Sequence, residues 1–211
     1  MKRTRVLLCI LAAALLTPAV WAQVEAIPAD QAERAGNIVV KMLSDVESPP
    51  FQVDATAEGT VALKADGGLA VVACPARGIT AEKIAAAAPP GDEAGEQLPV
   101  GVLALRGAEL ISDGKPFPAD KVIQLVSNGE QRAAAFWLAA TKANDRLSLA
   151  FVGKEKETRT FPLVEVAGDE KAPVALRFVA LEGNRSGRFE LILCGKYKAS
   201  FVLGAPAPDV R

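Results

Sequence analysis

The chain has 211 residues, with 24 basic side chains, 25 acidic side chains and no histidine. Histidine is the usual general base and the commonest zinc ligand, so its absence excludes Ser-His-Asp and Cys-His catalytic arrangements and histidine metal sites. The balanced charge and the aromatic content of 5% provide no basic face with interleaved aromatic residues, so nothing predicts a nucleic-acid partner.

The first 22 residues have the pattern of a secretory signal peptide. Three basic residues lie within the first five positions, an apolar run follows from Val6 to Val20, and small or tolerated residues precede Gln23. The apolar run is about 15 residues long and is interrupted by Pro18, whereas a spanning helix needs roughly 20 residues. The pattern predicts a secreted or periplasmic protein that is cleaved after Ala22 and keeps no stable membrane anchor.

Two cysteines, Cys74 and Cys194, remain after removal of residues 1–22. Export would bring them into an oxidising compartment, where a disulfide between them would close a loop of about 120 residues. The alternative is a pair of buried free thiols that pack as small apolar groups. The spacing of the two cysteines does not choose between these outcomes.

Residues 23–47 are predicted to form an N-terminal helical segment. Apolar residues recur at helical spacing on one stripe, at Ala32, Ala35, Val39, Met42 and Val46. Asp30 and Glu33 are spaced as in a capping box, which marks the start of a helix. The alternative for residues 38–43 is an edge strand.

Residues 48–204 are predicted to form one all-β domain, followed by a C-terminal tail of residues 205–211. Apolar runs separated by turn residues predict about ten strands, at Gly59–Lys64, Gly68–Cys74, Leu98–Arg106, Lys121–Ser127, Glu130–Ala140, Arg146–Val152, Thr158–Val166, Val174–Leu181 and both arms of Gly187–Gly204. Regular spacing without long helices predicts an antiparallel β-sandwich, immunoglobulin-like or related. A partly closed β-barrel is the alternative.

Three segments need separate interpretation. Arg132–Ala140 has the composition of a helix, because alanine and leucine favour helices, but the Asn128-Gly129 hairpin turn before it favours a strand. Thr80 is expected to cap a short helix that runs to Ala88. The polar run from Pro89 to Gln97 is expected to form a mobile loop.

The last two predicted strands show the clearest strand-turn-strand pattern of the chain. A three-residue loop, Cys194–Lys196, would pair Phe189 with Phe201 and keep the apolar side chains on one face. A two-residue loop would instead set Leu193 opposite Lys198. The three-residue loop is favoured because register follows the apolar face.

Candidate functional residues are few. Trp137 and Tyr197 are candidate ligand contacts, because an exposed aromatic ring on a sheet face can stack on a sugar. The small residues around Trp137 also fit a core position. Glu165 and Glu190 alternate with apolar residues and are expected to face solvent, so neither is assigned a catalytic role. No motif for a metal or a cofactor is present, and none is expected.

Two phrases of the sequence, Asp113–Lys121 and Gly195–Phe201, resemble stretches of exported bacterial β-sandwich proteins of unknown function, of the planctomycete type. The resemblance spans Leu98–Gly204 and implies bacterial export and a non-enzymatic role, without functional residues. We therefore expect a secreted or periplasmic binding or structural module with an unknown protein or cell-surface partner. The alternative is a carbohydrate-active module or a hydrolase that uses an Asp/Glu pair.

Overall fold

A computed structural model describes residues 21, 23–87, 97–127, 129–167, 172–183 and 185–206. In chain order its main elements are β1 (Glu25–Ala26), α1 (Ala29–Leu43), β2 (Val61–Ala65), β3 (Leu69–Pro75), α2 (Ala81–Ala85), β4 (Leu98–Arg106), β5 (Glu109–Ser112), β6 (Lys115–Pro116), β7 (Ile123–Ser127), β8 (Glu130–Ala143), β9 (Arg146–Val152), β10 (Thr158–Pro162), β11 (Val164–Glu165), β12 (Val174–Leu181), β13 (Ser186–Leu193) and β14 (Tyr197–Gly204). The predicted mobile loop lies almost entirely outside the described residues.

The described strands form two antiparallel sheets. The large sheet has eight strands in the order β1-β2-β3-β4-β8-β9-β10, and β7 pairs with the first half of β8 on the side that β9 occupies further along. The small sheet has six strands in the order β12-β13-β14-β5-β6, with β11 beside β14. The prediction of an antiparallel β-sandwich is confirmed, and neither of the described sheets closes into a barrel.

The two sheets pack face to face through an aromatic core. The ring centroids of Phe151, on the large sheet, and Phe201, on the small sheet, lie 5.1 Å apart. Phe189 pairs with Phe201 across β13 and β14, as the three-residue loop predicted. The alternation of apolar residues along these strands therefore sets both the register and the face that the sheets bury.

Helix α1 covers the outer face of the large sheet. The helix buries Ala32, Gly36, Val39 and Met42 on the stripe that faces the sheet, and it continues through residues 38–43, where an edge strand was the alternative. The predicted capping box does not form, because Pro28 occupies the N-cap position without a side-chain hydrogen bond. Helix α1 thus adds a third layer on the outer side of the large sheet.

Strand pairing settles one ambiguous segment and corrects one predicted strand. Arg132–Ala140 lies within strand β8, which bonds to β4 on one side and to β7 and β9 on the other. Neighbouring strands therefore override the helix propensity of its alanines. The segment predicted as one strand at Thr158–Val166 divides into β10 and β11, which belong to different sheets.

Candidate functional site

The structure buries both aromatic residues that were candidate ligand contacts. Trp137 is 2% exposed and lies between the large sheet and α1, and Tyr197 is 1% exposed and lies between the sheets. The indole N–H of Trp137 has no hydrogen-bond acceptor among the described residues. Both residues are core residues in the folded chain, and neither contributes to the site described below.

Cys74 and Cys194 are free thiols in the structure, so the possible disulfide between them does not form. Cys74 is buried in the cluster under α1, and burial raises the pKa of its thiol to about 11. Cys194 lies in the turn between β13 and β14, where burial and then the charge of Glu82 raise its pKa. Because the thiolate is the reactive form, both environments disfavour nucleophilic chemistry.

The two glutamates named from the sequence lie on the small sheet and apart from any cluster of acids. Glu165 is exposed, and Glu190 pairs with Lys198 through a contact of 2.7 Å. No group of three or more His, Cys, Asp or Glu side chains that could hold a metal lies within the described part of the chain.

A cleft of about 670 Å³ lies at one end of the sandwich, where the chain leaves β4 of the large sheet and enters β5 of the small sheet. Its walls come from the end of β4, the start of β5, the residues before β7, and the paired strands β7 and β8. The turn between β2 and β3 and residue Pro206 complete the lining. The cleft is therefore assembled from segments that are far apart in the sequence.

The floor of the cleft is apolar and tightly held. Phe117 and Phe136 meet edge to face with their ring centroids 4.9 Å apart, and both rings are almost fully buried. The backbone N–H of Phe117 donates a 2.7 Å hydrogen bond to the carbonyl oxygen of Leu110, which fixes the segment before β7 against β5. The guanidinium of Arg159 lies 5.3 Å from the Phe117 ring centroid and supports it from another side.

Polar side chains surround this floor. The cleft is lined by two arginines, two glutamines and one acid, namely Arg106, Arg132, Gln124, Gln131 and Glu109. Arg132 pairs with Glu130 at 2.8 Å, whereas Arg106 has no ion-pair partner among the described residues. The side-chain oxygen of Gln124 is buried and has no donor within the described chain.

The unpaired groups define what the cleft can bind. A guanidinium presents several N–H donors in a fork that matches a carboxylate, and charge-assisted hydrogen bonds of this kind are roughly twice as strong as neutral ones. The carboxamides of Gln124 and Gln131 can both donate and accept hydrogen bonds. These groups fit a polar ligand that carries a carboxylate, and the apolar floor would shield it from water.

A second cavity, of about 570 Å³, lies between the β5–β6 turn and the start of β13. It holds two acids, Asp113 and Glu182, together with Arg185. Glu182 accepts a hydrogen bond from Arg188, and Asp113 accepts one from the Ser112 hydroxyl at 3.4 Å. Each carboxylate is thus occupied by a neighbour on its own side of the cavity.

Sequence reasoning missed the cleft because each of its polar residues has an ordinary local explanation. Arg106 ends the apolar strand β4, as a charged residue at a strand end often does. Gln124 alternates with Ile123 and Leu125, which is the pattern of any half-buried strand. Only the fold, by bringing β4 and β7 to the two sides of β8, places these side chains on one cleft.

No protein-family model, no curated protein and no solved structure matches this chain. Within the described residues, no helix combines the length and the apolar character that crossing a membrane requires.

Proposed function

We propose that this protein is a secreted or periplasmic, non-enzymatic binding module whose cleft takes a polar ligand that carries a carboxylate. The observation that carries the proposal is the guanidinium of Arg106, which lies on the cleft without an ion-pair partner among the described residues. Export is supported by the signal-peptide pattern of the first 22 residues.

The dimensions and chemistry of the cleft support small-molecule or short-chain recognition. Its volume of about 670 Å³ falls within the range typical of ligand pockets, roughly 300 to 1,000 Å³. Such pockets combine apolar walls with a few placed polar groups, as Phe117 and Phe136 do here with Arg106 and Gln124. When Arg106 binds the carboxylate, the side-chain amide of Gln124 would orient the rest of the ligand.

A hydrolase that uses an Asp/Glu pair is the second hypothesis. Such an enzyme needs two carboxyl groups roughly 5 to 10 Å apart across the substrate. Among the described residues that line the main cleft, Glu109 is the only acid. The second cavity has two acids, but Glu182 is paired with Arg188, which favours a structural role for that carboxylate.

Binding can be tested with three probes of similar size: a trisaccharide of galacturonic acid, a tripeptide of glutamate, and a neutral trisaccharide. Isothermal titration calorimetry should detect heat with one or both acidic probes and none with the neutral one. Loss of a charge-assisted hydrogen bond costs about 1.5–3 kcal/mol, so Arg106→Ala should weaken binding of the acidic probe roughly tenfold or more.

Arg34→Ala is the matched control for this experiment. Arg34 lies on α1, its side chain is 79% exposed, and its removal changes the net charge by the same amount. This variant should bind as the unchanged protein does. Equal losses in both variants would indicate general charge attraction, and no binding of either acidic probe would refute the proposed ligand class. Release of reducing ends from the trisaccharide would favour the hydrolase instead.

A further inference from the structure

Trp21 belongs to the core of the folded domain, although the signal-peptide pattern assigns it to the leader. Its side chain is 1% exposed, and its ring meets the ring of Phe189 edge to face with the centroids 5.1 Å apart. The indole N–H donates a 3.3 Å hydrogen bond to the carbonyl oxygen of Arg185. Burial, the aromatic contact and the hydrogen-bonded N–H together make Trp21 a core residue.

The small sheet is shaped to receive this ring. At Gly187, a Cβ atom would lie 2.7 Å from Cε2 of Phe178 and 3.3 Å from Cγ of Trp21. A larger residue at this position would displace the Phe178 ring, because Cβ atoms essentially never approach another heavy atom within 3.0 Å, and it would crowd the rings of Trp21 and Phe189. We call the site formed by Phe178, Arg185, Gly187 and Phe189 the indole socket.

Residues that follow Trp21 in the chain pair with the large sheet. Val24 packs against the core between the sheets, and Glu25 and Ala26 pair with Lys64 and Leu63 of β2 at the edge of the large sheet. Trp21 therefore contacts the small sheet, and Glu25 and Ala26 belong to the large sheet. Removing Trp21 would remove the contact of this part of the chain with the small sheet.

We propose that the mature protein retains Trp21 and that the leader is removed upstream of it, after Ala19. The inference rests on the export proposed above. Signal peptidases require small residues at the first and third positions before the cleaved bond, and Ala19 and Thr17 meet this requirement as Ala22 and Val20 do. The sequence rule allows both sites, and the buried indole distinguishes them.

The direct test is to express the full 211-residue chain in a Gram-negative bacterium and to measure the intact mass of the protein recovered from the periplasm. The proposal expects a chain that begins at Val20. A chain that begins at Ala22 or later, and so lacks Trp21, would overturn it, and so would a chain that keeps the whole leader. None of these outcomes depends on ligand binding in the cleft.

Substitution of the indole gives a second readout in the same exported protein. Replacing a buried Trp by Ala commonly lowers the Tm of a domain of this size by roughly 6–20 °C. Trp21→Ala should show a fall in this range. Trp21→Phe keeps a ring in the socket and is the matched control, with a fall less than half as large. An unchanged Tm in Trp21→Ala would refute the role of the socket.

Discussion

The two faces of the large sheet are both buried, but they are packed with different side chains. The inner face presents large residues such as Phe136 and Phe151, and the Phe151 ring meets the Phe201 ring of the small sheet. The outer face, which α1 covers, buries four alanines, Ala104, Ala135, Ala139 and Ala150, together with the larger Trp137. The same strands therefore contribute to two hydrophobic cores, one on each face of the sheet, which contain different side chains.

This difference follows from what covers each face. Two packed sheets stand about 10 Å apart, and long side chains must fill the space between them. A helix approaches more closely where both surfaces are small, as Gly36 of α1 does over Thr60. On strand β8, Phe136 and Leu138 face inwards, whereas Ala135 and Ala139 face outwards on either side of Trp137, which is the one large buried side chain of this strand on the outer face.

The inner face should be the more sensitive to loss of volume. Phe201 contacts the rings of Phe151, Phe161 and Phe189, and Phe→Ala at such a site typically costs about 3–5 kcal/mol. We expect Phe201→Ala to lower the free energy of unfolding by this amount in urea titrations. Val202→Ala, on the neighbouring half-buried position of β14, should cost less than half as much. Equal losses of unfolding free energy in the two variants would contradict the larger contribution of the aromatic core to stability.

The elements that the sequence predicted well are those with a strong local pattern. The last hairpin alternates apolar residues over both strands, so a one-residue change of register would have turned its apolar face to solvent. Strands β4, β9 and β12 begin and end where the sequence predicted, because turn residues bound them. Helix α1 was predicted from its apolar stripe, although its capping box was not correct.

The features that the sequence did not predict depend on distant residues. No strand was predicted between Arg106 and Lys121, but β6 forms there because Lys115 and Pro116 pair with β5. Leu163 divides β10 from β11; Pro162 is a local signal for a strand end, but the change of sheet depends on pairing with distant strands. The cleft and the indole socket likewise combine residues far apart in the chain, so no local spacing could indicate them.

The outer face of the large sheet should make the stability of the protein depend on pH. Burial raises the pKa of the Cys74 thiol to about 11, partly offset by a hydrogen bond with Thr60, whereas the thiol titrates at about 9.0 when unperturbed. Between these values the unfolded chain has lost the proton that the folded chain keeps, so the unfolded state binds fewer protons. Stability is therefore full below pH 9 and should fall by about 2–3 kcal/mol as the pH rises to 11.

Urea titrations between pH 8 and 11 would measure this contribution. Other side chains also ionise in alkaline solution, so the informative quantity is the difference between variants. Cys74→Ala should have a flatter pH dependence than the unchanged protein, and Cys194→Ala, at the half-buried turn, should follow the unchanged protein more closely. Parallel curves for the Cys74 variant and the unchanged protein would contradict the assignment.

The smallest expected effect tests the close approach of α1 to the large sheet. A Cβ atom at Gly36 would lie 2.4 Å from Oγ1 of Thr60, and Thr60 is itself buried, so Gly36→Ala should force the helix outwards. In an exposed helix the same change would stabilise by roughly 0.5–1 kcal/mol, whereas overpacking a buried contact costs about 1–3 kcal/mol. We expect a net loss of about 1 kcal/mol in the free energy of unfolding.

Asn37→Ala, one position along on the exposed side of α1, should change stability by less than about 0.5 kcal/mol. A gain in stability from Gly36→Ala would show that α1 does not lie against the sheet as closely as this contact requires.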